Sequence, residues 1–192
     1  MWEVILYLNP VTVSAFVLFC AVIPWVGAAL ASRTQEVIPK LARVLLVLCL
    51  AIIYFATLMP TQPLDSGGPR YISWVPGEGL WDNDLSSMGA MEHEMSLRLQ
   101  LANAMMFVPL GILLLFVTRQ PRLGRTIAIC LALSVSIEAA QYVMNAGRTA
   151  DVDDALFNTL GGIIGGVLAF VPRRVLAERS VEPGVLPLAD QG

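Results

Sequence analysis

Apolar and polar positions alternate along this chain in long blocks. Five apolar stretches, 10–31, 41–59, 99–117, 126–144 and 154–171, are separated by polar breaks at 32–40, 60–98, 118–125 and 145–153. Each stretch matches the roughly 17–25 residues that a helix rising about 1.5 Å per residue needs to cross a bilayer. The pattern therefore predicts five membrane-spanning helices in an all-α bundle.

The breaks differ in character. The long one at 60–98 holds Pro60, Pro63, Gly67, Gly68, Pro69, Pro76, Gly77 and Gly79, a turn-forming first half. Tyr71, Trp74 and Trp81 suit the headgroup level, where a ring meets hydrocarbon and a polar edge meets water. In its second half Met88, Met91 and Met95 recur at helical spacing and predict a short interfacial helix. The tail after Arg179 has Pro183 and Pro187 and no apolar period, so 173–192 is expected to be disordered.

Composition agrees. Of 192 residues 56% are hydrophobic and 14% charged, where soluble domains carry about 25% charge. So few charges cannot cover a soluble surface. A net charge of −3 leaves no phosphate footprint, so nucleic acid is excluded as a partner. Cys20, Cys49 and Cys130 lie in apolar runs with neither disulfide nor thiolate-metal spacing.

The basic residues orient the chain. Arg33, Lys40, Arg43, Arg119, Arg122, Arg125, Arg173, Arg174 and Arg179 flank alternate breaks, whereas only Arg70, Arg98 and Arg148 fall in the others. The positive-inside rule then puts the amino terminus outside and the carboxyl terminus in the cytoplasm of a plasma or inner membrane. The outer break 60–98 is acidic, with Asp65, Glu78, Asp82, Asp84, Glu92 and Glu94 against two arginines. Glu3 and the missing basic start argue that the first stretch is a retained helix and not a cleaved signal.

Polar residues inside the spans carry the chemistry, because an ionisable group in hydrocarbon is expensive. Asn103 lies about one turn into the third span, and Glu138 is about 18 Å up the fourth from Thr126. At 100° per residue Ser134, Glu138, Gln141 and Asn145 share one face within about 60°. If the fifth helix starts near Asp151, then Asp151, Asp154, Asn158, Gly161, Gly162 and Gly165 share a face within about 100°. Gly161/Gly165 and Gly162/Gly166 are G-x-x-x-G pairs that let backbones approach. Arg148, in the break between, is the cation nearest these carboxylates in sequence.

Two readings of the cluster stand side by side. It is a clasp fixing helix register, or an outward polar pocket for a polar ligand at the headgroup level. Asp151, Asp153 and Asp154 have oxygen ligands suited to Mg²⁺ or Ca²⁺, yet acids at a helix N-terminus are favoured by capping and dipole alone, and no metal or cofactor is assigned. Asp153 turns away from Asn158 on a helix and is the least suited of the three. His93 is expected to be an exposed loop residue, and Pro109 to kink the third span. A transporter is disfavoured because no inverted repeat is evident.

The run Ile137-Glu138-x-x-Gln141, Gly147-Arg148-Thr149-Ala150-Asp151-Val152-Asp153-Asp154, then Asn158-Thr159-Leu160-Gly161 and Gly165, strongly resembles the signature of VanZ-like membrane proteins. Tyr54-x-x-Thr57-Leu58-x-Pro60 resembles the end of that family's first helix, and Asn103-x-x-x-Phe107-x-Pro109-x-Gly111 resembles its second helix. The resemblance spans about 43–171. It implies a four-helix core at 41–172 with outer loop 60–98, preceded by an added helix within 1–40. It also marks Asn103, Glu138, Gln141, Arg148, Asp151, Asp154 and Asn158 as the polar site. The founding member is associated with low-level resistance to teicoplanin. The implied partners are membrane lipid and a lipid-linked cell-wall precursor or glycopeptide. The alternative is an enzyme on a lipid-linked substrate, with Glu138 or Asp154 as general base.

Overall fold

The computed structural model describes residues 10–33, 37–60, 62–66, 68–77, 87–118, 120, 122–146 and 150–179. Five helices account for nearly all of them: α1 (Pro10–Arg33), α2 (Val37–Leu58), α3 (Ser87–Val117), α4 (Leu123–Met144) and α5 (Val152–Arg179). Each contains a stretch long and apolar enough to cross a membrane. Large apolar side chains stand exposed on the helices, among them Leu18, Val47, Phe55, Val143 and Leu156. Apolar groups facing outward and polar ones held inside is the arrangement that lipid favours.

α3 and α5 form the centre and run parallel. The backbone of α5 at Gly161 faces the Ala104 carbonyl, and at Gly165 the Val108 carbonyl, so both helices advance together. A side chain on either glycine would overlap these oxygens, which is why the contact needs glycine. One position around the helix, Gly162 faces Cys130 of α4 and Gly166 faces Leu123 and Thr126. The first G-x-x-x-G pair thus meets α3, and the second meets α4 while its backbone also lies against Gly111 of α3. α4 runs antiparallel to α5, burying Thr126, Cys130, Ser134, Ile137 and Gln141.

Two apolar clusters knit the rest. Ile53, Phe107, Leu110, Cys130 and Ile137 join α2, α3 and α4. Cys20, Ala28, Ala42, Val108, Ile112, Leu115, Phe116 and Ala169 join α1 and the start of α2 to α3 and α5. At that end Arg173 donates to the Leu115 and Thr118 carbonyls and lies 5.4 Å from the centre of the Phe116 ring. These are terminal carbonyls of α3, which its own helix leaves without partners.

Three features depart from the sequence expectation. The helix foreseen around Met88–Met95 is not separate: α3 runs unbroken from Ser87 through Pro109 to Val117. No helix breaker stands between Met95 and Leu99, and Glu94 pairs with Arg98 one turn on. His93 consequently lies half-buried on α3 and not in an exposed loop. Asp151 does not begin α5 as a helical residue. It belongs to a short strand, β2 (Ala150–Asp151), paired in parallel with β1 (Ile72–Ser73) of the long loop. Arg148, Trp81 and the tail beyond Arg179 fall outside the described residues.

Candidate functional site

The polar residues gather at one end of the bundle, where α4 ends and α5 begins. Asn145 closes α4 in the left-handed conformation (φ 43°), which Asn tolerates better than most residues. Its amide then donates to the Gly68 carbonyl at 2.9 Å, while Asp65 N–H donates to the Met144 carbonyl. This ties the first turn of the long loop to the end of α4.

The same loop is tied to α5 twice. Strand β1 sets Ile72 opposite Ala150 and Ser73 opposite Asp151. Further on, Gly77 N–H donates to both carboxylate oxygens of Asp153, at 2.7 and 2.9 Å. Gly77 sits at φ +79°, a conformation glycine adopts freely. Asp153, set apart from the cluster by helical geometry, is buried (5% exposed) and anchors the loop. Three acids within four residues at a helix start were visible in sequence; a partner 76 positions away was not.

Beneath this strap the predicted site residues pair off between helices. The Glu138 carboxylate accepts from Asp151 N–H at 2.9 Å. Asp151 accepts from Asp153 N–H at 2.9 Å, capping the first turn of α5. One turn deeper, Asn158 donates to Ser134 Oγ at 3.0 Å, and the Ser134 hydroxyl donates to the Ala155 carbonyl at 3.4 Å. Asp154 faces α3, where it accepts from the Asn103 amide at 2.7 Å. Gln141 faces α2 and donates to the Thr57 carbonyl at 3.0 Å. Six of the seven predicted residues form contacts joining α4 to α5, α3 to α5 and α2 to α4; Arg148 lies outside the described residues.

Hydrogen-bond accounting exposes an imbalance. Gln141 gives its NH₂ to a carbonyl, which fixes its amide orientation, and its Oε1 is buried without a partner. Ser134 spends its proton on Ala155, so Asn158 must present NH₂ to it; Asn158 Oδ1 is likewise buried and unpartnered. Gln100, 4% exposed, has a third such oxygen. All three are acceptors.

A cavity of about 380 Å³ opens on the flank of the site. Ile72 and Trp74 of the strap, Val135, Ala139, Tyr142 and Val143 of α4, and Ala150, Val152 and Ala155 make apolar walls. Among the described residues, Glu138 and Asp151 are the charged ones that line it. The surface of this cavity is apolar, although those two residues lie beside it. The cause is the strap, which covers the polar residues between the helices and leaves the exposed face of α4 as the open side. Sequence reasoning missed the apolar lining because those residues look like ordinary lipid-facing positions. Among the described residues no three His, Cys, Asp or Glu side chains converge as a metal site.

The family model described as VanZ/LLP1 matches residues 43–173. The chain belongs to this family. No curated protein and no solved structure matches it. The VanZ/LLP1 match covers most of α2, all of α3 and α4 and most of α5, and with them every residue of the site, so the protein is a multi-pass membrane protein of VanZ-like type. Helix α1 precedes the matched region and packs on its α5 and α3.

Proposed function

We propose that this VanZ-like protein binds an amphiphile of the cell envelope in the cavity beneath the loop strap. A lipid, a lipid-linked cell-wall precursor or a lipoglycopeptide fits the description, and binding of the last would contribute to teicoplanin-type resistance. The observation that carries this reading is the cavity itself. Its almost wholly apolar walls suit a hydrocarbon chain, it opens on the exposed apolar side of α4, and it lies beside the polar cluster at the end of α4 where a polar head would sit. The basic residues support an orientation with this end of the bundle outside, where such amphiphiles reside. Arg148, six residues after Tyr142 and three before Asp151, is proposed to pair with an anionic group such as a phosphate.

Two variants at matched membrane levels test the resistance role. Glu138→Gln and Arg148→Ala are each expected to shift teicoplanin susceptibility of cells expressing the protein. Equal susceptibility of both variants and wild type removes that role. Mass spectrometry of ligand retained by the purified protein tests binding separately.

A further inference from the structure

We propose that the basic end of the bundle holds an anionic phospholipid of the leaflet at that end, with its phosphate between Arg43 of α2 and Arg122 and Arg125 of α4. This site lies away from the cavity, at the opposite end of α4, and does not rest on the function proposed for it.

The arginines at this end divide by what they touch. Arg173 is spent inside the protein, on the Leu115 and Thr118 carbonyls and the Phe116 ring. Arg43, Arg122 and Arg125 are exposed, and among the described residues their side chains have neither a hydrogen bond nor an ion pair. The helices that carry them offer no neutralising carboxylate nearby. α2 has no acidic residue, and the first in α4 is Glu138, near its other end. Glu36 precedes α2 and lies outside the described residues.

Their heights agree. Gln141 of α4 donates to the Thr57 carbonyl of α2, 84 positions back. Below that bond Ile53 of α2 shares a cluster with Cys130 and Ile137 of α4, and Leu46 and Leu50 of α2 pack on it, so the two helices rise side by side. The same offset sets Arg43 level with Ile127, about 3 Å along the axis from Arg125 and about 8 Å from Arg122. Arg43 shares a face of α2 with Leu46 and Leu50, and Arg122, Arg125 and Ile129 share a face of α4, each set within about 60°. Long arginine side chains can reach a common level at the membrane surface from these positions.

A guest complementary to this surface brings negative charge at one end and hydrocarbon at the other. Guanidinium forks match phosphate oxygens in pairs, and basic groups at the ends of spanning helices attract anionic lipid. Val44 and Val47 of α2 and Ile129 of α4, next along the helices toward the membrane centre, are exposed apolar residues. A soluble anion would use the arginines alone, whereas a phospholipid sets its phosphate on them and its chains on the apolar stripe. Orienting the chain requires only that the charge be present on this side. Three unpaired guanidinium groups at one height on two neighbouring helices add a place for a phosphate.

The test uses the full chain in phosphatidylcholine nanodiscs. Trp2, Trp25, Trp74 and Trp81 are replaced by Phe, and one reporter is returned by Ile129→Trp on the arginine face of α4. Phosphatidylglycerol with brominated chains is expected to quench this reporter at about 10-fold lower mole fraction than brominated phosphatidylcholine. A reporter placed instead by Phe55→Trp, exposed toward the other end of α2, is expected to be quenched equally by the two lipids. Arg43→Gln, Arg122→Gln and Arg125→Gln together are expected to abolish the preference at position 129, and Arg125→Gln alone to lower it about 3-fold. Arg174→Gln removes the same charge from an exposed position of α5 at the same end, and is expected to leave the preference unchanged. Equal quenching by the two lipids at position 129 overturns the proposal. So does a preference that survives the triple variant, or one of equal size at position 55. A fall with Arg174→Gln as large as with Arg125→Gln overturns it too, because the preference would then belong to the overall charge of that end and not to these three side chains.

Discussion

At the scale of single residues, glycine positions separate those that hold the bundle from those that do not. A methyl group on Gly161 or Gly165 would overlap the carbonyl of Ala104 or Val108, and both the glycine and its neighbour are backbone, which cannot rotate aside. Gly161→Ala is expected to destabilise by about 1–3 kcal/mol, the usual range for overpacking, or more if α5 must separate from α3. Gly124 in the first turn of α4 has nothing within 4 Å of a Cβ. Gly124→Ala therefore gains the roughly 0.4–1 kcal/mol that comes from restricting the unfolded chain. Thermal unfolding in one detergent checks both, and a Tm for Gly161→Ala equal to the parent's would refute the packing argument. The packing glycines were legible from spacing because two interleaved G-x-x-x-G pairs on a span have few other uses. Their division between α3 and α4 was not, since it depends on which helix lies on each side.

At the scale of elements, the strap from Ile72 to Gly77 is held by contacts that leave no periodic trace. Two-residue strands give no alternation to detect, and the bond from Gly77 to Asp153 joins segments 76 positions apart. The spans, in contrast, were readable from hydropathy, with ends shifted by a few residues; α3 extended furthest beyond expectation because Glu92, His93, Glu94 and Arg98 lower hydropathy without breaking a helix. The candidate site was legible as a set of residues and not as a shape. Helical angles grouped Glu138 with Gln141 on α4, but Gln141 turns to Thr57 and Glu138 to Asp151, because three neighbours surround α4. If Asp153 anchors the strap, Asp153→Ala removes two charge-assisted contacts to one N–H. A loss of about 1–3 kcal/mol speeds opening, and hydrogen exchange at Gly77, about 10- to 100-fold. Exchange in the centre of α3 is expected to stay unchanged. An unaltered rate at Gly77 would show that β1 pairing alone secures the strap.

At the scale of the whole molecule, the number of spans fixes how the ends relate. A four-helix core returns its termini to the same side, whereas α1 makes five spans and sets them on opposite sides. The nine basic residues do not depend on α1 for their bias. Arg43, Arg122, Arg125, Arg173 and Arg174 flank one end of the core, the end where Arg173 meets the last carbonyls of α3, and Arg119 falls in the same break of the sequence as Arg122. The core thus contains its own orientation signal, and α1 is expected to follow it. Cysteine labelling distinguishes the ends: Ser66 lies exposed at the strap end and Gln120 exposed at the basic end, while the natural cysteines Cys20 and Cys130 are buried and Cys49 half-buried. With an impermeant maleimide, Ser66→Cys is expected to label in intact cells, and Gln120→Cys only after permeabilisation. Removing residues 1–35 is expected to leave that pattern intact at Ser66 and Gln120, because the six arginines remain in the shortened chain. A reversed pattern in the shortened chain would show that α1 sets the topology, and a reversed pattern in the full chain would put the cavity on the cytoplasmic side, away from the amphiphiles proposed for it.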